Sequence, residues 1–344
     1  MTRRTAVTVL AAVLAAGTAC AAPTGQRLPA AGPPPVPASP AQRPVLDVTA
    51  TAGAAAPRPP ADGAWIGAWA KPDLPTADRR VAALAEFEQQ LGRPVDVAHA
   101  YHEWDDELPS QDDRELAAGG RTLLLSWAGA DTRQIQSGQH DDLLREKARA
   151  VKEWGAPVLL EWRGQMDRPN LQAELWSPAD YVAAWRHIRA VFEREQVDNV
   201  AWVWCPRATG FVDGRAPAYY PGDDQVDWLC ADTYPGKTPR SFQEMAGPFL
   251  GWAAAHPRPV IIGEFGVDDR GGQREQWLAE TAAHVVTAPQ IKGLVYVDAD
   301  RSGAGDRPYD TSLRSAPRSM AAFSRIALDP YFDVRRATGA TVAR

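Results

Sequence analysis

Eight short apolar runs alternate with amphipathic helical stretches from Trp65 onward, and no GxGxxG follows the first run. Together these observations predict an α/β chain with a single (β/α)8 TIM barrel, since eight strand–helix units over about 270 residues have the count and size of that fold. Several runs are apolar on consecutive residues, which suits strands covered on both faces of a parallel sheet. An open doubly wound sheet is the competing architecture, and the missing dinucleotide fingerprint ranks it lower.

The chain opens on Arg3-Arg4, a short apolar run Ala6–Ala16, and the small residues Gly17-Thr18-Ala19 before Cys20. A basic start, a greasy core too short to span a bilayer and small residues at the cut predict an export signal over 1–20. Two readings of its end stay open. Cys20 stands where a bacterial lipoprotein signal places its lipidated cysteine, and Ala19-Cys20-Ala21 also reads as an ordinary cleavage site. Residues 21–62 are rich in Ala and Pro, including Pro33-Pro34-Pro35 and Pro59-Pro60. That composition predicts an extended tether. The barrel domain is expected over 63–334, followed by a tail, 335–344.

Strands are expected at Trp65–Trp69, Pro94–Ala98, Thr122–Trp127, Val158–Trp162, Val200–Cys205, Val226–Ala231, Val260–Gly263 and Gly293–Val297. Between them Ala77–Gln90 carries Val81, Leu84 and Phe87 at helical spacing, and His140–Trp154 carries Leu144, Ala148 and Val151. Ser177-Pro178 caps a helix to Glu195 whose apolar stripe is Tyr181, Trp185, Ile188 and Phe192. Further helices fit Ser241–Ala255, Gln273–Val286 and Thr311–Ile326. Arg207–Gln225, rich in Pro, Gly and Tyr, reads as a loop without a full helix.

A net charge of −6 with scattered Lys and Arg argues against a nucleic-acid partner. The six histidines form no HxH or HExxH pair, so neither a metal nor another cofactor is expected. Membrane attachment is expected only through a lipid on Cys20, and the domain is expected to be a monomer. Cys205 and Cys230 form an even pair that in an exported protein suggests a disulfide, with two buried thiols as the alternative. The 13 tryptophans will mostly be core, although flat apolar faces also line sugar-binding clefts.

Chemistry in such barrels gathers at the C-terminal strand tips. The seventh strand runs into PVIIGEFGVDD (259–269), whose Glu264 is costly to bury unless it sits at the barrel mouth with partners. A carboxylate nucleophile and a structural ion-pair member are both open readings. The sixth gives VDWLCADTYPG (226–236), placing Asp232 and Tyr234 on one face of an extended chain. The second leads to His102, Glu103 and Trp104, the third ends at Ser126-Trp127, and the eighth carries Tyr296 and Asp298. His102 could bond a sugar hydroxyl, and Trp104 and Trp127 could stack on a ring.

The stretches WVWCP (202–206), YYPGDDQVDW (219–228), RPVIIGEFGV (258–267) and QMDRPN (165–170) together resemble glycoside hydrolase family 26. The resemblance extends from about Trp65 to Phe332. It implies a retaining β-mannanase or related β-glycanase with Glu264 as nucleophile and Tyr234 as the tyrosine that hydrogen-bonds it. It also implies that Tyr296 is an aromatic platform and that a β-linked oligo- or polysaccharide is the partner. The acid/base glutamate of that family falls at the tip of strand four, and here that position is Gln165. Nearby, Glu161 replaces an Arg and Gly164 replaces a bulky His or Trp.

A retaining glycosidase needs two carboxyl groups about 5–5.5 Å apart, one to attack the anomeric carbon and one to protonate the departing oxygen. Glutamine can donate a hydrogen bond but gives up no proton, and losing a general acid costs about 10²–10⁴-fold in rate. Asp167, two residues on, is the candidate substitute acid, although an extended strand would carry it roughly 6.6 Å away. Glu161 lies four residues deeper and is expected to pair with Arg163. The expectation is therefore a secreted or surface-tethered glycoside hydrolase with impaired or altered chemistry. The alternative is a β-glycan-binding protein on the same barrel with weak or no turnover.

Overall fold

The computed structural model describes residues 52–236, 240–269, 271–300 and 310–334. Cys20, the export signal, most of the tether and the tail therefore lie outside the described residues. Eight parallel strands close into a barrel in sequence order: β1 (Trp65–Ala70), β2 (Val97–His102), β3 (Thr122–Trp127), β4 (Val158–Trp162), β5 (Val200–Trp204), β6 (Trp228–Thr233), β7 (Val260–Phe265) and β8 (Ile291–Asp298). β8 pairs back onto β1 from Trp65↔Gly293 to Ala70↔Asp298.

The consecutive apolar runs divide by parity. Leu124 of β3 and Leu159 of β4 point into the barrel with Val97, Ala201, Val203, Ile261 and Val295. Their neighbours Leu123, Leu125 and Leu160 point outward and pack against the helices. Burying both faces is why these strands read as unbroken apolar runs. The helix Pro178–Arg194 begins where Ser177 accepts from the Asp180 amide, and it buries Tyr181, Ala184, Trp185, Ile188 and Phe192 on one stripe.

Three differences from the sequence reading matter. β2 starts and ends later than expected, at Val97–His102: the Asp96 side chain accepts from the Ile66 amide at its entry, and Tyr101 and His102 continue the pairing with β3 opposite Ser126 and Trp127. A helix that the apolar pattern did not indicate, Gln111–Ala118, follows β2. It is set by a capping box between Ser110 and Asp113. The last part of the Ala/Pro-rich segment belongs to the fold: the Ala55 amide donates to the Asp198 carbonyl at 3.1 Å, and Ala56 is buried in the inner cluster. The loop between β5 and β6 holds only the short turns Thr209–Val212 and Ala216–Tyr219. Among the described residues no helix is long and apolar enough to cross a membrane.

Candidate active site

A cleft of about 780 Å³ opens at the C-terminal strand ends. Glu264 reaches it through an irregularity in β7. The register runs Cys230↔Ile261 and then Asp232↔Glu264, two steps on β6 against three on β7. One extra residue flips side-chain parity. Glu264 therefore turns inward with Asp232, while Phe265 stays outside against Tyr296. Glu264 accepts hydrogen bonds from the hydroxyls of Tyr101, at 2.7 Å, and Tyr234, at 2.9 Å. Sequence reasoning missed Tyr101. It lies on β2 two residues beyond His99, where His99 and His102 interrupt the apolar pattern.

Gln165 faces the same cleft, and its position depends on an unusual turn. After β4 the chain passes through Arg163 (φ 53°), Gly164 and Gln165 (φ 56°), two left-handed non-glycine residues around a glycine. Such conformations persist only where surrounding contacts hold them. Here the Arg163 amide donates to the Trp127 carbonyl at 2.8 Å and the Gln165 amide to the Cys205 carbonyl at 2.7 Å. The Gln165 side-chain amide then donates to Asp232 at 2.6 Å.

The turn also folds Gly164 back over Glu161. A Cβ on Gly164 would stand 1.7 Å from Glu161 Oε1, so the carboxyl group occupies the space that a larger residue would fill. Glu161 accepts from the Ser126 hydroxyl at 2.9 Å, and that oxygen is 2.6 Å from His99 Nε2. Contrary to the sequence expectation, Arg163 does not pair with Glu161; it reaches Glu174. Burial, reinforced by the negative charge of Glu264 and opposed by the Ser126 bond, raises the Glu161 pKa from 4.5 to about 8. Burial, with the charges of Glu264 and Glu161, also holds Asp232 well above the usual carboxylate range. The site therefore sets two carboxyl groups whose charged forms are disfavoured by burial and by each other beside a third that accepts two tyrosine hydroxyls.

Beneath this layer Cys205 and Cys230 are joined by a disulfide. Gly263 makes room for it, since a Cβ there would lie 2.5 Å from Cys230 Sγ. Glu161 and the two cysteines bring ligand-type atoms within 4.8 Å of one another, but the bonded sulfurs offer no thiolate to a metal.

Other sequence-selected residues fall differently. His102 and Trp127 line the cleft, with His102 Nε2 3.1 Å from Asp113. Trp104 stacks behind Trp127 at a ring separation of 4.5 Å and does not line the cleft, so it supports the wall instead of presenting a platform. Tyr296 is a correction: it points outward, is 0% exposed, packs on Phe265 and Phe323, and donates its hydroxyl to the Thr311 carbonyl. A residue enclosed in this way cannot stack under a sugar. Asp167 is another: its buried carboxylate accepts from the Arg207 amide at 2.9 Å and the Arg207 guanidinium at 3.2 Å, away from the cleft. It is not placed to act as the substitute acid.

No family model matches the chain. Endoglucanase H of Acetivibrio thermocellus is 23% identical over 285 residues, covering 76% of this chain and 29% of that protein. A β-1,3-xylanase of a Vibrio species is 26% identical over 144 residues, covering 39% of this chain and 28% of that protein. The chain thus spans less than a third of the length of either. Among solved structures, a glycoside hydrolase family 26 β-mannanase from Bacteroides ovatus superposes with a TM-score of 0.59 at 15% identity, covering 79% of this chain and 90% of that one. A family 26 endo-β-1,4-mannanase from Cellulomonas fimi gives 0.57 at 16% identity, covering 78% and 71%. The barrel of this chain is thus the fold shared by these family 26 mannanases.

Proposed function

We propose that this chain is a glycoside hydrolase of β-linked polysaccharide, β-mannan or β-glucan, acting by a retaining mechanism with Glu264 as nucleophile. The observation that carries the reading is a carboxylate at the tip of β7, held by two tyrosine hydroxyls inside a cleft large enough for sugar units. Two O–H donors fix the carboxylate's orientation and leave its attacking lone pairs directed by geometry instead of by a cation. The similarity to mannanase structures and to an endoglucanase supports the substrate class. Gln165 at the acid/base position makes the chemistry impaired or altered. The N-terminal sequence supports an exported protein, secreted or tethered at the surface.

A binding protein is the second reading, favoured by one observation. The Gln165 side chain is an amide with no titratable proton, and its N–H is already donated to Asp232. The two readings separate by trapping. An activated 2-deoxy-2-fluoro-β-mannoside or β-glucoside should leave a covalent sugar on Glu264, located by peptide mass spectrometry, and Glu264→Ala should leave none. Calorimetric binding of manno- or gluco-oligosaccharides with neither adduct nor product would establish the binding protein instead.

A further inference from the structure

Gln165 leaves the hydrolase reading with an unanswered need: a group that gives a proton to the departing oxygen and takes one from water. It must stand across the cleft from Glu264, so residues near β4 are better placed than residues on β6, the immediate neighbour of β7. Along an extended β4, Glu161 would be too deep. The left-handed turn at Arg163 and Gln165 removes that objection, because it brings Gly164 back to the level of the Glu161 carboxyl group. Glu161 lines the cleft, and only a glycine at 164 allows it to do so.

We propose that Glu161 is the acid/base partner of Glu264 and does the work that the side chain of Gln165 cannot do. The assignment rests on the hydrolase reading above. In the first step a Glu264 oxygen bonds to the anomeric carbon, the glycosidic C–O bond breaks, and the Glu161 proton moves to the departing oxygen. In the second step water attacks the anomeric carbon, its proton returns to Glu161, and the Glu264 ester bond breaks to regenerate the carboxylate.

The surroundings suit that cycle. From β3, Ser126 donates to one Glu161 oxygen and is itself 2.6 Å from His99 of β2. Across the cleft, Glu264 opposes a negative charge on Glu161 before the reaction and ceases to do so once esterified. The Glu264 and Glu161 charges both act on Asp232 of β6, with Arg168 opposing them, and the Tyr181 hydroxyl, the Arg163 guanidinium and the Asp167 carboxylate also lie around the β4 tip. Glu161 itself lines the cleft, where a departing oxygen and a water could reach it. A proton-holding carboxyl group opposite a nucleophilic one is the division of roles that retaining hydrolysis requires.

The test compares the parent chain with Glu161→Gln and Gly164→Ala on cello- and manno-hexaose and on 2,4-dinitrophenyl β-cellobioside and β-mannobioside. The dinitrophenolate group leaves without protonation. Glu161→Gln is expected to lose at least about 100-fold on the hexaoses. It should keep the initial dinitrophenolate burst, and azide should restore turnover with a β-glycosyl azide as product. Gly164→Ala keeps the acid but displaces it, and should lose hexaose activity in the same direction. Hexaose hydrolysis by Glu161→Gln within a few-fold of the parent would overturn the assignment, as would equal losses on both substrate types without azide rescue. Failure of the parent to form any Glu264 adduct with the activated substrate would instead overturn the hydrolase reading itself.

Discussion

Replacing Glu161 by Gln should stabilise the protein in a pH-dependent way, and the size follows from the carboxyl environment. In the unfolded chain Glu161 ionises near its ordinary value of 4.5, and in the folded barrel near about 8, chiefly because it is buried. Between those values the folded state keeps a proton that the unfolded state has released. The unfolded state then binds fewer protons, so stability falls as pH rises. The contribution is intact below 4.5, declines by about 1.4 kcal/mol per pH step, and is fully lost above about 8. At pH 7 the cost is about 3 kcal/mol.

Glutamine carries no charge to desolvate, and its carbonyl still accepts the Ser126 hydroxyl. Urea unfolding of parent and Glu161→Gln at pH 4, 5.5, 7 and 8.5 should show matching stability at pH 4 and a gap of about 3 kcal/mol in favour of the variant at pH 7. Asp232 is present in both proteins, and because the Glu161 charge also acts on it, the difference reports position 161 together with its coupling to Asp232. A gap of the same size at every pH, or a parent more stable than the variant at pH 8.5, would refute the reasoning. The same experiment shows that activity lost in this variant is not lost through unfolding.

Three further outcomes are expected. Gln165→Glu should raise hexaose hydrolysis by less than about tenfold if Glu161 already supplies the proton, whereas a gain of about 10²–10⁴ would return the acid role to position 165. Tyr234→Phe and Tyr101→Phe each remove a hydrogen bond to a charged acceptor, worth about 1.5–3 kcal/mol. Each should lower kcat/KM by about 10- to 100-fold with little change in unfolding midpoint, and an unchanged kcat/KM would remove that tyrosine from the site. Replacing both Cys205 and Cys230 by Ala opens a bridge across a sequence separation of 25 and should cost about 3 kcal/mol in denaturant unfolding, an effect absent if the bridge places no constraint on the unfolded chain.

The barrel was legible because its strands are buried on both faces, which writes them into the sequence as unbroken apolar runs. The same signal failed where the barrel mouth is polar. His99, Tyr101 and His102 interrupt the apolar pattern of β2, so the apolar signal ends at Ala98 and leaves Tyr101 outside it. Glu264 could be recognised at its strand tip, but the extra residue that turns it inward is a matter of register, which spacing along one strand does not reveal. Tyr296 shows the converse error. Its neighbour Val295 takes the inward position, so a one-residue difference in parity puts the ring in the outer core. Counting along a straight strand misplaces Asp167 and Glu161, because the chain turns sharply at Arg163.

The departures around β4 are physically coupled. A carboxyl group at 161 cannot rise to the cleft unless residue 164 lacks a side chain, because its Oε1 would be 1.7 Å from any Cβ there. Once it rises, it lies near Asp232 and Glu264, and three carboxyl groups so close cannot all be ionised. A fourth acid at 165 would add another like charge beside Asp232, whereas the Gln165 amide donates to that group at 2.6 Å. Below them the disulfide fills the barrel without adding a polar group, and Gly263 yields the space it needs. A glutamine at the end of β4 is thus consistent with an acid displaced inward, where glycine opens the route and the amide holds the neighbouring carboxyl group in place.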